Sequence, residues 1–488
     1  MNKPSFHGKR VLFLQGPVGP FFWNLSKDMR SKGAEVYKFN FNAGDWIFFR
    51  TGASSFKGSL AEWPDVLEKF IKEKSIDVVI LFGDCRPVHA CVRGLAQELG
   101  CAVGVFEEGY LRPDYVTFEP VGVNGNSEFS QSLAPWLVQQ ALSNNSNNKI
   151  NKDQIKKESN SIPVGNTYWH AAVWGMLYFF VSWVFQWFWN NTLHHRQMSV
   201  LDAPFWWLSY GRKLWYKIKE KGIEEKLCGD LRHRFFLIPL QVHNDSQITV
   251  HSDFDSVCNF ADYVMRSFSK ALIEEQKKNL PKGGVSILDA VLVFKHHPMD
   301  RGHRNYGKAL KLLTRRYGLE GKIIYIHDQH LPALLKATRG VVLVNSTVGL
   351  SALKHGAPVK VCGTALYDMP GLTFQGRLRD FWHMTEKAVP DAEELKRFKQ
   401  ALIRRTQLNG SFYKKLSQVE WQCGVALDGQ MAERLWPVAV SAVQKPLSQS
   451  LKAPLLAPAE MPSDGVLLAT SARRQRNFEE QGTLSMES

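Results

Sequence analysis

Short apolar runs alternate with amphipathic stretches in the first part of the chain. Strands are predicted where apolar residues run together, at 9–15, 36–41, 77–82 and 102–106. Helices are predicted between them, at 24–32, 60–74 and 88–99, where apolar positions recur every three or four residues. Alternating units of this kind predict a parallel sheet that is covered by helices on both faces.

A second series of alternating units begins near Arg232. Its strands are predicted at 235–241, 291–295, 322–326 and 340–344, and its helices at 256–271, 307–317, 331–337 and 347–355. Two doubly wound domains in series place their ligands in a cleft, outside the carboxyl ends of the strands. The predicted fold class is therefore α/β and GT-B-like, with two Rossmann-like doubly wound domains that face a cleft.

The chain between these two series differs from both in composition. The segment 143–161 is rich in Asn, Ser and Lys, which predicts a solvated loop. The segment 168–189 carries no Asp, Glu, Lys or Arg and many aromatic residues. Three alternatives fit it: a helix that docks on a membrane surface, a helix packed between domains, or a helix that spans a bilayer. The lysines from Lys213 to Lys226 suit an anionic lipid surface and equally a solvated helix face.

Charge and composition narrow the choice of partner. The chain has 488 residues and a formal net charge of +15, which favours an anionic partner. Its 15 Trp and 30 Phe residues exceed what a nucleic-acid binder needs, so a membrane surface is favoured and no nucleic acid is expected. The seven cysteines are scattered, which predicts reduced thiols and no metal site. The polar stretch before Arg10 lacks the apolar segment of a signal peptide, so a cytoplasmic location is expected.

Two adjacent carboxylates, Glu107 and Glu108, follow the strand that ends at Phe106. Charged groups at the carboxyl end of a parallel strand point into the predicted cleft. Glycosyl transfer requires a carboxylate beside the anomeric carbon, acting as a base or as a nucleophile. A merely solvated acidic pair is the alternative.

Two further groups of residues follow strands of the second series. The first group ends the strand at 291–295 and consists of Lys295, His296, His297 and Pro298. A histidine at this place can donate a hydrogen bond or a proton to a leaving phosphate, and a structural role in the turn is the alternative. The second group lies where the strand at 340–344 meets a helix and consists of Asn345, Ser346, Thr347 and Gly349. Hydroxyl and backbone N–H groups there suit a nucleotide phosphate, although Ser and Thr are also common helix N-caps.

Other residues at strand ends are expected to line the acceptor side or the cleft. They are Gln15, Gly16, Asp84, Arg86, Gln241, Asp245, Ser246 and Gln247. A buried local network is the alternative for Asp84 and Arg86, and a role in loop structure is the alternative for the last four. No metal requirement is predicted.

The order of these motifs resembles that of bacterial CMP-sugar transferases, with Glu107-Glu108-Gly109, His297-Pro298 and Ser346-Thr347 in the three positions. The wider sequence resembles the KpsS/LipB capsule family through FLQGPVGPFF, FEEGYLRPDYVTFE, PLQVHNDSQI, KHHP and NSTVGLSALKHGAPV. This resemblance implies a β-Kdo transferase that moves Kdo from CMP-β-Kdo to a phosphatidylglycerol-type lipid, with net retention, and so starts the poly-Kdo linker of group 2 capsules.

The resemblance also implies a location, a donor substrate and partners for the protein. It implies no cofactor besides the CMP-Kdo donor substrate, and a peripheral position on the inner face of the inner membrane. A second Kdo transferase and the capsule ABC exporter are implied as further partners. The alternative is a non-catalytic export or scaffold protein that binds the nascent glycolipid.

Roles carried over from the resemblance concern the acidic pair and the donor. Glu108 occupies the position of the catalytic carboxylate, and Glu107 that of an orienting group. Arg112 is implied as the partner of the Kdo carboxylate, because a guanidinium can bind a carboxylate through two hydrogen bonds. The CMP phosphate would be bound or protonated by His297, held by Ser346 and Thr347, and neutralised by Lys295.

These assignments divide the chain into five predicted regions. They are an N-terminal Rossmann-like acceptor domain at 1–140, a polar loop with an aromatic-rich helical membrane-docking insertion at 141–230, a C-terminal Rossmann-like CMP-sugar-binding domain at 231–400, C-terminal helices that pack back at 401–445, and a disordered tail at 446–488.

Overall fold

Two mainly parallel β-sheets with covering helices organise the protein, as a computed structural model shows. The described residues are 4–129, 162–189, 203–243, 248, 252–277, 284–416, 421–425 and 430–436. The predicted site residues Asp245, Ser246 and Gln247 lie outside them, as do the polar segment 143–161 and the tail 446–488. The predicted α/β class with two doubly wound units is confirmed.

The first sheet has seven strands in the described part of the chain, and the N-terminal region supplies most of them. These are β1 (Arg10–Phe13), β2 (Glu35–Asn40), β3 (Ser54–Ser55), β4 (Val78–Phe82), β5 (Ala102–Glu108) and β6 (Tyr115–Pro120). The first five are parallel in the order β3-β2-β1-β4-β5, and β6 pairs with β5 in the antiparallel direction. Val78 and Ile80 of β4 face one hydrophobic core, while Val79 and Leu81 face the other. Burial on both sides explains why this strand is apolar throughout.

Helices cover both faces of this sheet. They are α1 (Phe21–Ser31), α2 (Ala43–Phe48), α3 (Trp63–Lys74) and α4 (Val92–Leu99). The short helix α2 begins at Asn42, whose side chain accepts a hydrogen bond of 2.9 Å from the backbone N–H of Asp45. Helix α4 ends at Gly100, which adopts the left-handed conformation that ends many helices.

Two aromatic-rich helices, α5 (Tyr168–Val184) and α6 (Ala203–Lys219), precede the second sheet and are followed by α7 (Ile223–Cys228). Helix α5 has 17 residues and gives way to a 3₁₀ turn, so it ends before the predicted segment does. Its buried face, which includes Tyr178 and Val181, packs against α2. Among the residues that the structure describes, no helix has the length and apolar character needed to cross a membrane.

The second sheet is parallel throughout. Its strands are β7 (Phe235–Pro239), β8 (Val291–Lys295), β9 (Ile323–Ile326), β10 (Gly340–Leu343) and β11 (Val359–Val361), in the order β11-β10-β7-β8-β9. Its helices are α8 (Val257–Gln276), α9 (Gly307–Tyr317), α10 (Leu331–Ala337), α11 (Val348–Lys354) and α12 (Leu378–Phe381). Along β7, Leu237 faces one core, while Phe236 and Ile238 face the other. Both sheets thus contain five parallel strands in the order 3-2-1-4-5, which runs across the switch point of the classic doubly wound sheet.

The chain finally returns to the first sheet through α13 (Ala392–Thr406). The segment predicted as C-terminal helices contains a strand, β12 (Gln407–Asn409), which pairs antiparallel with β6, and then α14 (Gln430–Leu435). Gln407 fixes this edge because its side chain accepts a hydrogen bond from the Tyr110 N–H and donates one to the Thr117 hydroxyl. Residues Met1–Val438 form one compact unit.

Candidate active site

The strand order of the first sheet reverses between β1 and β4, and a buried arginine bridges that point. Arg86, in the segment after β4, donates hydrogen bonds of 3.2 Å to Gln15 Oε1 and 3.0 Å to the Gly16 carbonyl oxygen, both in the segment after β1. Ligands of doubly wound sheets bind at this switch point. Three of the predicted cleft residues therefore meet where the topology places a ligand.

The acidic pair lies at the carboxyl end of β5, the strand next to β4. Glu107 Oε1 accepts a hydrogen bond of 2.9 Å from the Glu108 N–H. Burial raises the pKa of Glu107 to about 7, although the hydrogen bond from the Glu108 N–H and the charge of Arg86 act in the opposite direction. Glu107 is thus a carboxyl group able to take up or release a proton near neutral pH.

The second carboxylate of the pair is held by a residue from the far end of the chain. Tyr413 donates a hydrogen bond of 2.7 Å from its hydroxyl to Glu108 Oε1. Burial and the neighbouring Glu108 carboxylate raise the pKa of the Tyr413 phenol well above its usual value, so the phenol stays protonated and remains a donor. The next residue back, Phe412, packs edge-on against the rings of Phe106 and Phe82.

A third set of contacts joins the switch point to α5. Gln15 Nε2 donates to Asp45 Oδ2 at 3.4 Å, and the hydroxyl of Tyr178 on α5 donates to Asp45 Oδ1 at 2.9 Å. Asn42 Nδ2 donates in turn to the Tyr178 hydroxyl oxygen at 2.9 Å. A continuous chain of hydrogen bonds therefore runs from Tyr178 through Asp45 and Gln15 to Arg86.

Two other predicted residues of this half have local partners. Asp84 Oδ2 accepts hydrogen bonds from Asn126 Nδ2 at 2.9 Å and from the Val123 N–H at 3.2 Å, so it secures the segment after β6. Arg112 is exposed, and its Nε donates to the Gly109 carbonyl oxygen at 3.2 Å. The Asp84 carboxylate is part of the local network that was the structural alternative.

The second sheet reverses its strand order between β7 and β10, and an amide pair bridges that point. Gln241 Nε2 donates a hydrogen bond of 3.1 Å to Asn345 Oδ1, and both side chains are buried. Ser346 Oγ accepts from the Val348 N–H at 3.2 Å, whereas Thr347 is exposed. A Cβ atom at Gly349 would lie 2.2 Å from the Tyr367 hydroxyl oxygen, so only glycine fits there.

The lysine and histidines after β8 are held in different ways. Lys295 is buried, and its Nζ donates to the His327 carbonyl oxygen at 3.1 Å, while burial lowers its pKa. Burial also lowers the pKa of His296 to about 4, so this ring is neutral at physiological pH. Its Nδ1 lies 2.7 Å from the Tyr325 hydroxyl oxygen, and its buried Nε2 has no hydrogen-bond partner among the described residues.

His297 Nδ1 accepts a hydrogen bond of 3.2 Å from the Met299 N–H. In the neutral ring this bond places the proton on Nε2, so Nε2 is a hydrogen-bond donor. The adjoining Pro298 begins the 3₁₀ turn that sets this geometry. A neutral His297 can therefore donate to an anionic oxygen.

Sequence reasoning missed several residues that hold these groups in place. They are Asp45, Tyr178 and Tyr413 in the first half and Glu220, His243, Tyr306, Tyr325 and His327 in the second. Glu220, the residue just after α6, contacts both the N–H and the ring of His327, which follows it by 107 residues. Glu220 sits among lysines in a segment without a motif, so nothing local distinguished it. Asp300, two residues beyond Pro298, was visible near the KHHP motif and accepts hydrogen bonds from His243 and Tyr306.

Comparisons with known proteins agree on the family. A profile described as "Capsule polysaccharide biosynthesis protein" matches residues 77–413. The chain is 35% identical over 408 residues to the capsule polysaccharide export protein KpsS of Escherichia coli, which covers 83% of this chain and 97% of that protein. It is 34% identical over 413 residues to the capsule polysaccharide modification protein LipB of Neisseria meningitidis serogroup B, with coverage of 84% and 92%.

A solved structure, the Thermosulfurimonas dismutans KpsC β-Kdo 2,7 transferase, matches with 14% identity and a TM-score of 0.35 over 77% of this chain and 92% of that one. The family match spans the acidic pair, the KHHP segment and Tyr413. It confirms the KpsS/LipB resemblance of the motifs, and the chain belongs to the capsule polysaccharide biosynthesis protein family.

Proposed function

We propose that this protein is a retaining glycosyltransferase that moves Kdo from CMP-β-Kdo to a phosphatidylglycerol-type lipid and so starts the poly-Kdo linker of a group 2 capsule. The observation that carries the proposal is the acidic pair beside the switch point of the first sheet. One carboxylate, Glu108, is fixed by a tyrosine hydroxyl, and its neighbour, Glu107, has a pKa of about 7. A retaining transfer needs a nucleophile and a proton acceptor close together, and this pair supplies both.

In the first step a Glu108 carboxylate oxygen attacks the anomeric carbon of Kdo. The bond from that carbon to the phosphate oxygen breaks, CMP leaves with the electron pair, and a glycosyl ester forms on Glu108. In the second step the acceptor hydroxyl oxygen attacks the same carbon and the ester bond breaks, which restores the carboxylate. The hydroxyl proton passes to Glu107. Two inversions give net retention.

The leaving phosphate would be bound by groups of the second sheet. His297 presents an Nε2–H donor, and the backbone and side chains of Asn345, Ser346 and Thr347 lie at the switch point of that sheet. Burial keeps His296 neutral and leaves its Nε2 without a partner in the described chain, which suits a second donor to the phosphate. Exposed Arg112 would pair with the Kdo carboxylate.

The lipid acceptor would be reached at a membrane surface that α5 and α6 contact. The outer face of α5 carries an exposed stripe at helical spacing: Trp169, Val173, Met176, Phe180 and Trp183. Helix α6 adds exposed apolar side chains beside basic ones: Leu214, Trp215 and Ile218 with Lys213, Lys217 and Lys219. Aromatic side chains flanked by lysines are the composition of helices that lie in the interface of anionic bilayers.

The test is transfer by the purified protein. CMP-Kdo is generated in situ, a fluorescent phosphatidylglycerol analogue is the acceptor, and product mass is followed. We expect a gain of one Kdo unit that Glu108→Ala and His297→Ala abolish. Matched controls are Glu98→Ala on α4 and His330→Ala before α10, both at exposed positions away from the two switch points. A wild-type protein that binds the lipid analogue without adding Kdo overturns the proposal and favours the scaffold alternative.

A further inference from the structure

The segment 409–414, which we name the return segment, starts at the last residue of β12 and crosses the carboxyl end of the first sheet. Phe412 anchors it there, because its ring lies 4.8 Å from that of Phe21 and 5.2 Å from that of Phe82, both edge-on. With Phe412 only 3% exposed, the backbone on either side of it is fixed against the core. The neighbouring Tyr413 is thereby directed towards the end of β5.

Tyr413 makes the hydrogen bond that fixes the Glu108 side chain. A glutamate side chain has several rotatable bonds, and ordering it costs conformational entropy unless a partner holds it. The 2.7 Å bond from the Tyr413 hydroxyl reaches Glu108 Oε1, and the Thr117 hydroxyl holds the Glu108 carbonyl oxygen at 3.0 Å. Both the backbone and the carboxylate of Glu108 are therefore positioned.

Helix α5 and its leading residues hold the return segment from the other side. Asn409 exchanges hydrogen bonds with the Ile162 backbone, donating to its carbonyl oxygen at 3.1 Å and accepting from its N–H at 2.9 Å. Trp174 Nε1 on α5 donates to the Tyr413 carbonyl oxygen at 3.4 Å. The same indole lies against Gly19, where a Cβ atom would come within 3.3 Å of its ring.

We propose that Tyr413 is the positioning residue for Glu108 and that Trp174 on α5 secures Tyr413 for that task. The helix whose outer face carries the exposed aromatic stripe thus also sets the geometry of the carboxylate. This inference rests on the proposed glycosyl transfer. It adds a residue that acts through Glu108.

The first experiment measures kcat and KM of Tyr413→Phe with a water-soluble acceptor, so that membrane binding does not enter. The variant loses a hydrogen bond to a charged group, so kcat should fall about 10- to 100-fold. KM for the donor should stay within about twofold. Tyr317→Phe is the matched control, because Tyr317 donates an equal bond of 2.7 Å to the carboxylate of Asp262, away from the site. It should leave kcat unchanged.

A second experiment separates positioning from a general structural role and remains informative if Tyr413→Phe folds poorly. Glu108→Asp shortens the carboxylate out of reach of Tyr413 and should lower kcat. Adding Tyr413→Phe to that variant should lower kcat by less than about twofold more, because the bond is already lost. A purely structural tyrosine would cost the same factor in both backgrounds.

Trp174→Phe keeps an aromatic ring and removes only the indole N–H. The lost hydrogen bond is neutral and acts on Glu108 only through Tyr413, so kcat should fall about three- to tenfold.

A Tyr413→Phe variant with the kcat of Tyr317→Phe overturns the inference and leaves the proposed function standing. A wild-type protein with no transfer on any acceptor overturns the proposed function and the positioning role together.

Discussion

The two sheets share one strand order, yet the carboxyl ends of their strands differ in what bridges the switch point. In the first sheet the bridge is a buried guanidinium, that of Arg86, with the acidic pair beside it. In the second it is the neutral amide pair of Gln241 and Asn345, with a neutral histidine nearby. Charged groups in a low-dielectric site shift each other's pKa, whereas neutral donors bind an anion without titrating. Under the proposed function, this difference suits proton transfer at the first sheet and phosphate binding at the second.

The origin of the supporting residues differs as well. Around the first switch point, Tyr178 comes from α5 and Tyr413 from the return segment, which lies 305 residues beyond Glu108. Around the second, Tyr306 and Tyr325 come from within the same sheet's own units, while Glu220 reaches His327 from the segment before that sheet. The tyrosines around the first switch point therefore come from outside the first doubly wound unit.

The largest expected effect is the loss of the nucleophile from the first sheet. Glu108→Gln keeps the size of the side chain and removes its charge, so transfer should fall by about 10⁴-fold or more. Mass spectrometry of the product with a soluble acceptor measures it. Glu98→Gln, the same substitution on exposed α4, should leave the rate unchanged. Transfer by Glu108→Gln at a tenth of the wild-type rate would remove Glu108 from the chemistry.

The next effect concerns Glu107 and appears as a dependence on pH. Because the pKa of Glu107 is raised to about 7, the rate should rise with pH through that value as the group becomes a base. Glu107→Gln should lower kcat by about 10²-fold and remove this rise. A wild-type profile that is flat from pH 6 to pH 8 would contradict the base role, whatever the size of the rate loss.

The raised pKa of Glu107 also makes the free energy of unfolding depend on pH. The folded chain holds the Glu107 proton over the range from the ordinary value of 4.5 to about 7, where the unfolded chain has released it. The contribution of this group to the free energy of unfolding is therefore greatest below pH 4.5 and is lost as pH rises through about 7. Relative to Glu107→Gln, wild-type protein should lose stability over that interval, as denaturant titrations at several pH values would measure.

Breaking each bridge in turn tests the contrast between the switch points directly. Arg86→Met leaves the acceptors of Gln15 and Gly16 without this donor and should destabilise the fold by about 2–3 kcal/mol. Gln241→Met removes one neutral bond to Asn345 and should cost about 1 kcal/mol. Urea unfolding compares the two variants. Since Arg86 lowers the pKa of Glu107, only Arg86→Met should also move the acidic limb of the rate profile to higher pH.

The sequence predicted best those features that depend on residues close together along the chain. Apolar runs end near Gln15, Phe82, Phe106 and Gln241, and polar residues just beyond such ends must lie at one edge of a parallel sheet. Periodicity alone therefore predicted two doubly wound units and placed the acidic pair at a sheet edge.

Contacts across long sequence separations could not be predicted in the same way. Tyr413 stands in a mixed stretch of polar and apolar residues that forms no motif, and Tyr178 is one of many aromatic residues of α5. The three residues of β12 are too few to show the two-residue alternation of a strand, so the sequence pattern does not predict it. Helix α2 is likewise short and depends on the cap by Asn42.

The last prediction contrasts two helical glycines, the buried Gly349 on α11 and the half-buried Gly175 on α5. Gly349→Ala places a Cβ atom 2.2 Å from the Tyr367 hydroxyl oxygen, whereas Gly175→Ala on α5 meets nothing within 4 Å. Overpacking should cost Gly349→Ala about 1–3 kcal/mol, and it should weaken donor binding because Tyr367 holds the Ser346 carbonyl oxygen. Gly175→Ala should instead stabilise the fold by about 0.5–1 kcal/mol, since alanine is the better helix former. Thermal unfolding of both variants measures the difference, and a destabilised Gly175→Ala would show that another surface packs on α5 at that point.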